Sequence, residues 1–285
     1  MIAEILTVAI IMLFTILALR KNAVMYLSLS FVLVYLVEIY AYHTGEIVPY
    51  FELFACKSSL LDIGIFTGIY LHSLSPSHIF FNILIFFLVG TPFEQRTGSF
   101  KFTLIFIVAG VAANICYSVF LQMYGISSFL VGASGAIFGI MGAFLILYPN
   151  DEITMFLGPI LMPKVKVKYA VLAFMAVEFL ATFLWINDNV AHGAHVIGAV
   201  SGAVFAYAIR NYRVKKILYS RIDYALLENL ADTPELREIY GKIKGEDDEI
   251  ICNSWILEFF RKKYGDAEFD GKYVKSGGRK YKIFR

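Results

Sequence analysis

Val131-Gly132-Ala133-Ser134-Gly135-Ala136-Ile137-Phe138-Gly139 places one serine among small residues at the head of an apolar run, and Ala194-His195-Val196-Ile197-Gly198 treats a histidine the same way. The surrounding chain decides which solvent these runs meet. It is 59% hydrophobic and 17% charged over 285 residues, with a mean hydropathy of +0.68. A soluble domain carries about 25% charged residues, so most of this chain must be solvated by lipid. A hydroxyl and an imidazole inside membrane helices are the raw material of a serine hydrolase working below the lipid surface.

Apolar runs predict seven spanning helices, at residues 2–19, 23–43, 77–92, 102–123, 133–149, 168–187 and 193–210. The first two cannot be one straight helix, because about 40 residues would measure roughly 60 Å against a hydrocarbon core of about 30 Å. Arg20-Lys21-Asn22 is therefore the turn of a hairpin. Its first arm reads as a retained helix, since it lacks the basic start and small-residue cleavage site of a secretory signal. Lys and Arg concentrate in one set of connections (Arg20, Lys21, Arg96, Lys101, Lys164, Lys166, Lys168, then Arg210 onward), whereas the opposite set holds only Lys57. The positive-inside rule then puts the N-terminus outside and the C-terminal tail in the cytoplasm, in a multi-pass protein of the cell membrane.

Residues 44–75 are too long for a turn and too apolar for a solvated loop, and are expected to lie partly embedded in the outer interface. Beyond Arg210 the charged residues become dense. Thr233-Pro234-Glu235 is a helix start, and amphipathic runs around Leu236, Ile239 and Ile243 and around Ile256, Phe259 and Phe260 predict a small helical module ending in a flexible basic strip from Lys272. The expected fold class is thus an all-α polytopic membrane protein: an extra N-terminal helix and turn over 1–22, a six-helix core over 23–210 and a soluble helical tail over 211–285. The mixed charge, net +2, gives no case for nucleic-acid binding. Cys56, Cys116 and Cys252 are too scattered for a disulfide framework or a metal site.

Helix rise tests whether the polar groups share a level. Counting from Tyr148, Ser134 lies about 21 Å up its span, roughly 9 Å below the outer edge. Counting from Tyr207, His195 lies about 18 Å up, while Asn82 and His78, counted from Glu94, lie at about 18 to 24 Å. Ser134 and Phe138 share a helical face, as do His195, Gly198 and Gly202. The small residues on these faces allow two backbones to approach closely, as a short Ser–His hydrogen bond requires. Polar residues coinciding at one level in helices that otherwise avoid polarity are costly unless they act together around a water-accessible cavity. Glu94 and Arg96 are expected to fix a turn, and His72 and His192 to face water near the outer rim, with His192, three residues before His195, a candidate for the cavity mouth.

These motifs resemble the rhomboid family of intramembrane serine proteases: His78-Ile79-Phe80-Phe81-Asn82, then Glu94-Gln95-Arg96-Thr97-Gly98-Ser99, Gly132-Ala133-Ser134-Gly135, and Ala194-His195 followed by Gly198 and Gly202. The resemblance covers roughly residues 23–210. It implies that Ser134 is the nucleophile and His195 its general base, as a dyad without an aspartate. It also implies that His78 and Asn82 stabilise the oxyanion with the Ser134 backbone N–H, and that Phe138 packs on the histidine, with Gly132, Gly135, Gly198 and Gly202 as supporting packing. Relatives often carry a Trp-Arg pair in the interfacial loop, whereas the tryptophans here are Trp185 and Trp255, which leaves Tyr50, Phe51 and Tyr70 as candidate anchors.

The function so implied is a serine-type endopeptidase that cleaves transmembrane segments of single-span or polytopic membrane proteins within the lipid bilayer, through an acyl-enzyme and with no cofactor or metal. The alternative is a catalytically inactive rhomboid-like protein that binds membrane clients. That alternative predicts the loss of Ser134 or His195, and both are present.

Overall fold

A computed structural model describes residues 2–57, 62–157, 160–184, 188, 190–246, 249–270 and 273–284. Leu60, Leu61, Trp185 and Lys272 lie outside the described residues. Contacts divide the chain into two units, Met1–Ala208 and Ile209–Arg285.

The first unit is a bundle of apolar helices. Helix α1 (Ile2–Arg20) and α2 (Ala23–His43) form the hairpin expected of Arg20-Lys21-Asn22, with Asn22 in the left-handed region at φ 48°. Glu94 closes the turn from a distance in sequence. Its carboxylate accepts the otherwise orphaned N–H groups of Ala23 (2.5 Å) and Val24 (2.9 Å) at the start of α2, together with the Ser99 hydroxyl (2.6 Å). Lipid is the solvent outside: α1 buries Ala3, Thr7, Ile11 and Ala18 and exposes Ile5, Met12, Leu13 and Ile16. No backbone group can be left unpaired there, which is why each span is helical.

Helix α3 (Ile47–Phe54) and the short α4 (Gly64–Thr67) interrupt residues 44–75. Helix α5 (Pro76–Ile85) passes through a π-helical turn, Phe86–Gly90, into α6 (Thr91–Thr97). Pro92 supplies no N–H to the preceding turn, so the ladder widens there instead of closing regularly. Helix α7 (Ser99–Met123) follows, then α8 (Ser134–Leu147), α9 (Val167–Phe183) and α10 (His192–Arg221). Among the described residues, five helical stretches are long and apolar enough to cross a membrane: Ile2–Arg20, Ala23–His43, Pro76–Thr97, Ser99–Met123 and His192–Arg210. Helix α8 has 14 residues and α9 has 17. At about 21 Å, α8 cannot reach across a core of about 30 Å, so a helix ending at one boundary begins well inside the other. Ser134 is its first residue.

The connection from α8 to α9 is an antiparallel hairpin of β1 (Glu152–Leu157) and β2 (Ile160–Lys166). Two expectations are corrected by burial. Tyr50 and Tyr70 are not lipid anchors but are buried, their hydroxyls bonded to Thr7 (2.7 Å) and Thr15 (2.8 Å) of α1. His72 does not face water: its ring is fully buried beside Phe31 and His78, and its backbone N–H donates to Glu38 at 2.9 Å.

The second unit has helices α11 (Tyr224–Leu230), α12 (Pro234–Gly245) and α13 (Glu249–Tyr264). Thr233 caps α12, its hydroxyl accepting the Leu236 N–H at 3.3 Å. In place of a flexible basic strip the described tail ends in a meander of β3 (Glu268–Asp270), β4 (Tyr273–Ser276) and β5 (Arg279–Lys282). The reason is local: Gly277 and Gly278 take φ 56° and 71° as a tight hairpin requires, and β4 alternates exposed with buried, pressing Val274 into the core with Phe259 and Phe260. Lys275 and Lys280 both pair with Asp270, which holds its carboxyl down at about 2.

Helices α8 and α10 meet backbone to backbone. A Cβ on Gly202 would lie 2.0 Å from the Gly139 carbonyl oxygen, and one on Gly198 would lie 2.0 Å from that of Gly135. Gly202→Val should therefore force the helices apart at a cost of about 1–3 kcal/mol or more. In a detergent melt its midpoint should drop, whereas Gly241→Ala in α12, where nothing lies within 4 Å, should show no drop.

Candidate active site

Ser134 opens α8, where the backbone N–H groups of the first turn have no partner within the helix. His195 stands one turn into α10. The contact between the two helices brings His195 Nε2 to 2.8 Å from Ser134 Oγ. Phe138, one turn below Ser134, stacks on the imidazole with ring centroids 4.5 Å apart and planes 10° from parallel. The stacking leaves the histidine 7% exposed and fixes its plane.

The bonding partners also fix which nitrogen of each histidine carries the proton. His195 Nδ1 lies 2.8 Å from Glu178 Oε2 in α9. A carboxylate only accepts, so Nδ1 carries hydrogen and the Nε2 lone pair is left for the serine proton. His78 shows the converse. The backbone N–H of Ser73 donates to its Nδ1 at 3.3 Å, with the Ser73 hydroxyl at 3.0 Å, so in the neutral ring Nε2 bears the hydrogen. That Nε2–H lies over Gly132, beside the serine. Gly132 has φ 127°, and a Cβ there would sit 2.9 Å from His78 Nε2 and 3.8 Å from Ser134 Oγ, so both conformation and space demand glycine.

Ser134, His195 and His78 line one cavity of about 940 Å³, walled also by Tyr117, Phe129 and Phe179. Asn82 is buried one turn from His78, and one of its amide hydrogens is bonded to the His78 carbonyl at 3.0 Å. Gly135, Gly198 and Gly202 all lie in the α8–α10 contact. Glu94 and Arg96 sit apart from the site. Arg96 forms a bidentate pair with Asp151 (2.8 and 3.1 Å) while lying 4.9 Å over the Tyr148 ring. His192 lines the cavity, as its place three residues before His195 suggests, and is held there: Nδ1 is 2.7 Å from Glu178 Oε2 and Nε2 is 3.2 Å from Asp188.

Glu178 is the group that reading the motifs missed. It is the one acidic residue in α9, about 16 Å along the helix from Val167, a position that helix rise could have placed level with His195. Among the described residues, Glu178, His192 and His195 are also the set whose ligand atoms come close enough to hold a metal, within 4.8 Å. Their separations of 2.7 and 2.8 Å are hydrogen-bond lengths, shorter than the roughly 3.3 Å between ligands around a tetrahedral zinc.

A serine hydroxyl in hydrogen-bond contact with an imidazole, at a helix start in an apolar membrane bundle, defines a class of protein that comparison with known sequences makes specific. A model described as the rhomboid domain matches residues 63–212, more than half of the chain, and the chain belongs to the rhomboid family. It is 31% identical over 150 residues to rhomboid protease AarA of Providencia stuartii, covering 48% of this chain and 52% of the relative. It is 39% identical over 95 residues to rhomboid protease GluP of Bacillus subtilis (32% and 18%) and 31% identical over 142 residues to RHOMBOID-like protein 1 of Arabidopsis thaliana (50% and 34%). The matches span about half or less of those relatives' own lengths.

Gly132→Ala should displace His78 or bend the loop before Ser134. A misplacement of about 1 Å costs on the order of 10²-fold in reactivity. The rate of covalent labelling of Ser134 by a fluorophosphonate probe is the measurement, and a rate equal to that of the parent chain would contradict the role assigned to Gly132.

Proposed function

We propose that this chain is an intramembrane serine endopeptidase, in which residues 23–210 form the catalytic membrane core and Ser134 and His195 perform the chemistry. The observation carrying this reading is the 2.8 Å contact between His195 Nε2 and Ser134 Oγ, with the imidazole proton directed to the opposite nitrogen. In acylation, the Ser134 proton passes to Nε2 as Oγ bonds to the scissile carbonyl carbon, and the carbonyl π electrons move onto its oxygen. The His78 Nε2–H, the Ser134 backbone N–H and the remaining amide hydrogen of Asn82 are the donors proposed for that oxyanion. Nε2–H then protonates the leaving amine as the C–N bond breaks, and water repeats the sequence to release the acyl-enzyme. No metal or cofactor enters these steps.

The substrate is a transmembrane segment of another membrane protein. A peptide carbonyl within an intact helix is bonded to its own chain and shielded from Ser134, so the segment must unwind locally. Small or helix-destabilising residues near the scissile bond lower the cost of unwinding. The positive charges of the connections orient the N-terminus outside and the tail in the cytoplasm, which opens the cavity toward the outer face.

The test is cleavage of a model single-span substrate by the purified full chain in detergent and in liposomes. Ser134→Ala and His195→Ala should abolish turnover, and Ser134→Ala should also abolish fluorophosphonate labelling. Labelling that persists in Ser134→Ala would overturn the assignment. Asn82→Ala should lose less, at most about 3–4 kcal/mol of transition-state stabilisation, as for one oxyanion donor. Normal turnover in that variant would make Asn82 a packing residue.

A further inference from the structure

We propose that Glu178 is the positioning residue for His195, so that this chain works as a Ser134–His195–Glu178 triad rather than as a Ser–His pair alone. The inference rests on the proteolytic reading above and adds a residue to it. Three observations carry it. The carboxylate meets the imidazole at Nδ1, the nitrogen opposite the serine, and does so at 2.8 Å, a charge-assisted hydrogen-bond length. The carboxylate is itself held: the same oxygen accepts from His192 Nδ1 at 2.7 Å, and His192 is braced from its far side by Asp188 at 3.2 Å. The side chains involved are mostly enclosed, 13% exposed for Glu178, 9% for His195 and 12% for His192, whereas Asp188 is 46% exposed.

The placement is also costly enough to need a reason. Glu178 is an acid in a helix whose neighbours Val177, Phe179 and Leu180 are exposed on the apolar surface. Charged side chains within membrane helices are retained where they pair and serve a pathway or a site. The pairing here is with the one imidazole that must hold a single tautomer and accept a proton during acylation.

The role follows from charge and geometry. When the Ser134 proton arrives at Nε2, the ring becomes an imidazolium with Nδ1–H already directed at Glu178. The carboxylate stabilises that cation without taking its proton, and in the resting ring it prevents the tautomer whose Nε2–H would face the serine. Phe138 fixes the plane of the ring and Glu178 its rotation within that plane. His192, donating to the same oxygen, keeps the carboxylate from turning away toward water.

The experiment compares Glu178→Gln, Glu178→Asp and His192→Ala with the parent chain in detergent, measuring kcat and KM for a single-span substrate, the second-order rate of fluorophosphonate labelling, and the thermal midpoint. Glu178→Gln should lower kcat by about 10²-fold or more and slow labelling in parallel, with KM and the midpoint little changed. Glu178→Asp keeps the charge and should recover at least tenfold of the loss. His192→Ala should fall between the parent and Glu178→Gln. Two results overturn the triad: kcat within threefold of the parent in Glu178→Gln, or equal losses in the Gln and Asp variants accompanied by a lowered midpoint, which would make Glu178 a strut between α9 and α10. Ser134→Ala, run alongside, separates the two levels. An inactive Ser134→Ala beside a fully active Glu178→Gln removes the triad and leaves the protease, whereas activity surviving in Ser134→Ala removes both.

Discussion

The contact of α8 with α10 is the constraint on which the rest of the site depends. In lipid the apolar faces of two helices gain little by leaving their solvent, so association rests on close van der Waals packing and on hydrogen bonds. Here the packing is backbone on backbone. The carbonyl oxygens of Gly135 and Gly139 occupy the places where side chains of Gly198 and Gly202 would stand, and the carbonyl oxygen of Ala199 does the same opposite Gly142. Such a surface has no flexible side chains to take up error, so it fixes the depth and rotation of one helix against the other. The 2.8 Å between Ser134 and His195, at the upper end of this seam, is a consequence of it. Phe138 fills the space under the imidazole where the seam opens.

Two histidines on one cavity present opposite hydrogen-bonding groups to it because of what touches Nδ1, as the proposed mechanism requires. A backbone N–H on His78 Nδ1 leaves a donor at Nε2, and a carboxylate on His195 Nδ1 leaves an acceptor at Nε2. A developing oxyanion needs the first and a serine proton needs the second. The residue type alone carries neither role.

That division marks how far the sequence could be read. Apolar run lengths located the helices closely, because lipid enforces both helicity and length. Helix rise placed Ser134, His195 and His78 at one level, and small residues at helical spacing indicated the faces that meet. Glu178 obeys the same arithmetic but belongs to no motif, so nothing in the sequence pattern links it to His195. Tyr50, Tyr70 and His72 were misread for another reason. Tyr50 lies in the two-turn α3 and Tyr70 and His72 in the irregular chain after α4, stretches too short for periodicity to give a direction, and aromatic residues near an interface suit lipid and protein equally well. The β-hairpins escape because β1 and β2 carry apolar runs without clean alternation, and because the basic residues of the tail meander mask the inward Val274 and Ser276 of β4.

The first helix, which lies outside the family match, acquires a physical role from the same contacts. Thr7 and Thr15 of α1 provide partners for the hydroxyls of Tyr50 and Tyr70, groups that cost free energy if buried unpaired. Tyr50 belongs to α3, and the chain leaving α3 pairs Cys56 with Leu130 by two backbone hydrogen bonds of 3.1 and 2.8 Å. Gly68, immediately after α4 and two residues before Tyr70, accepts the N–H of Gly132 at 3.0 Å. The strained backbone of Gly132, against which His78 rests, is thus held by a segment that is itself fastened to α1. A helix with no polar group in the cavity still bears on the site, by holding the segment that supports the turn ahead of Ser134.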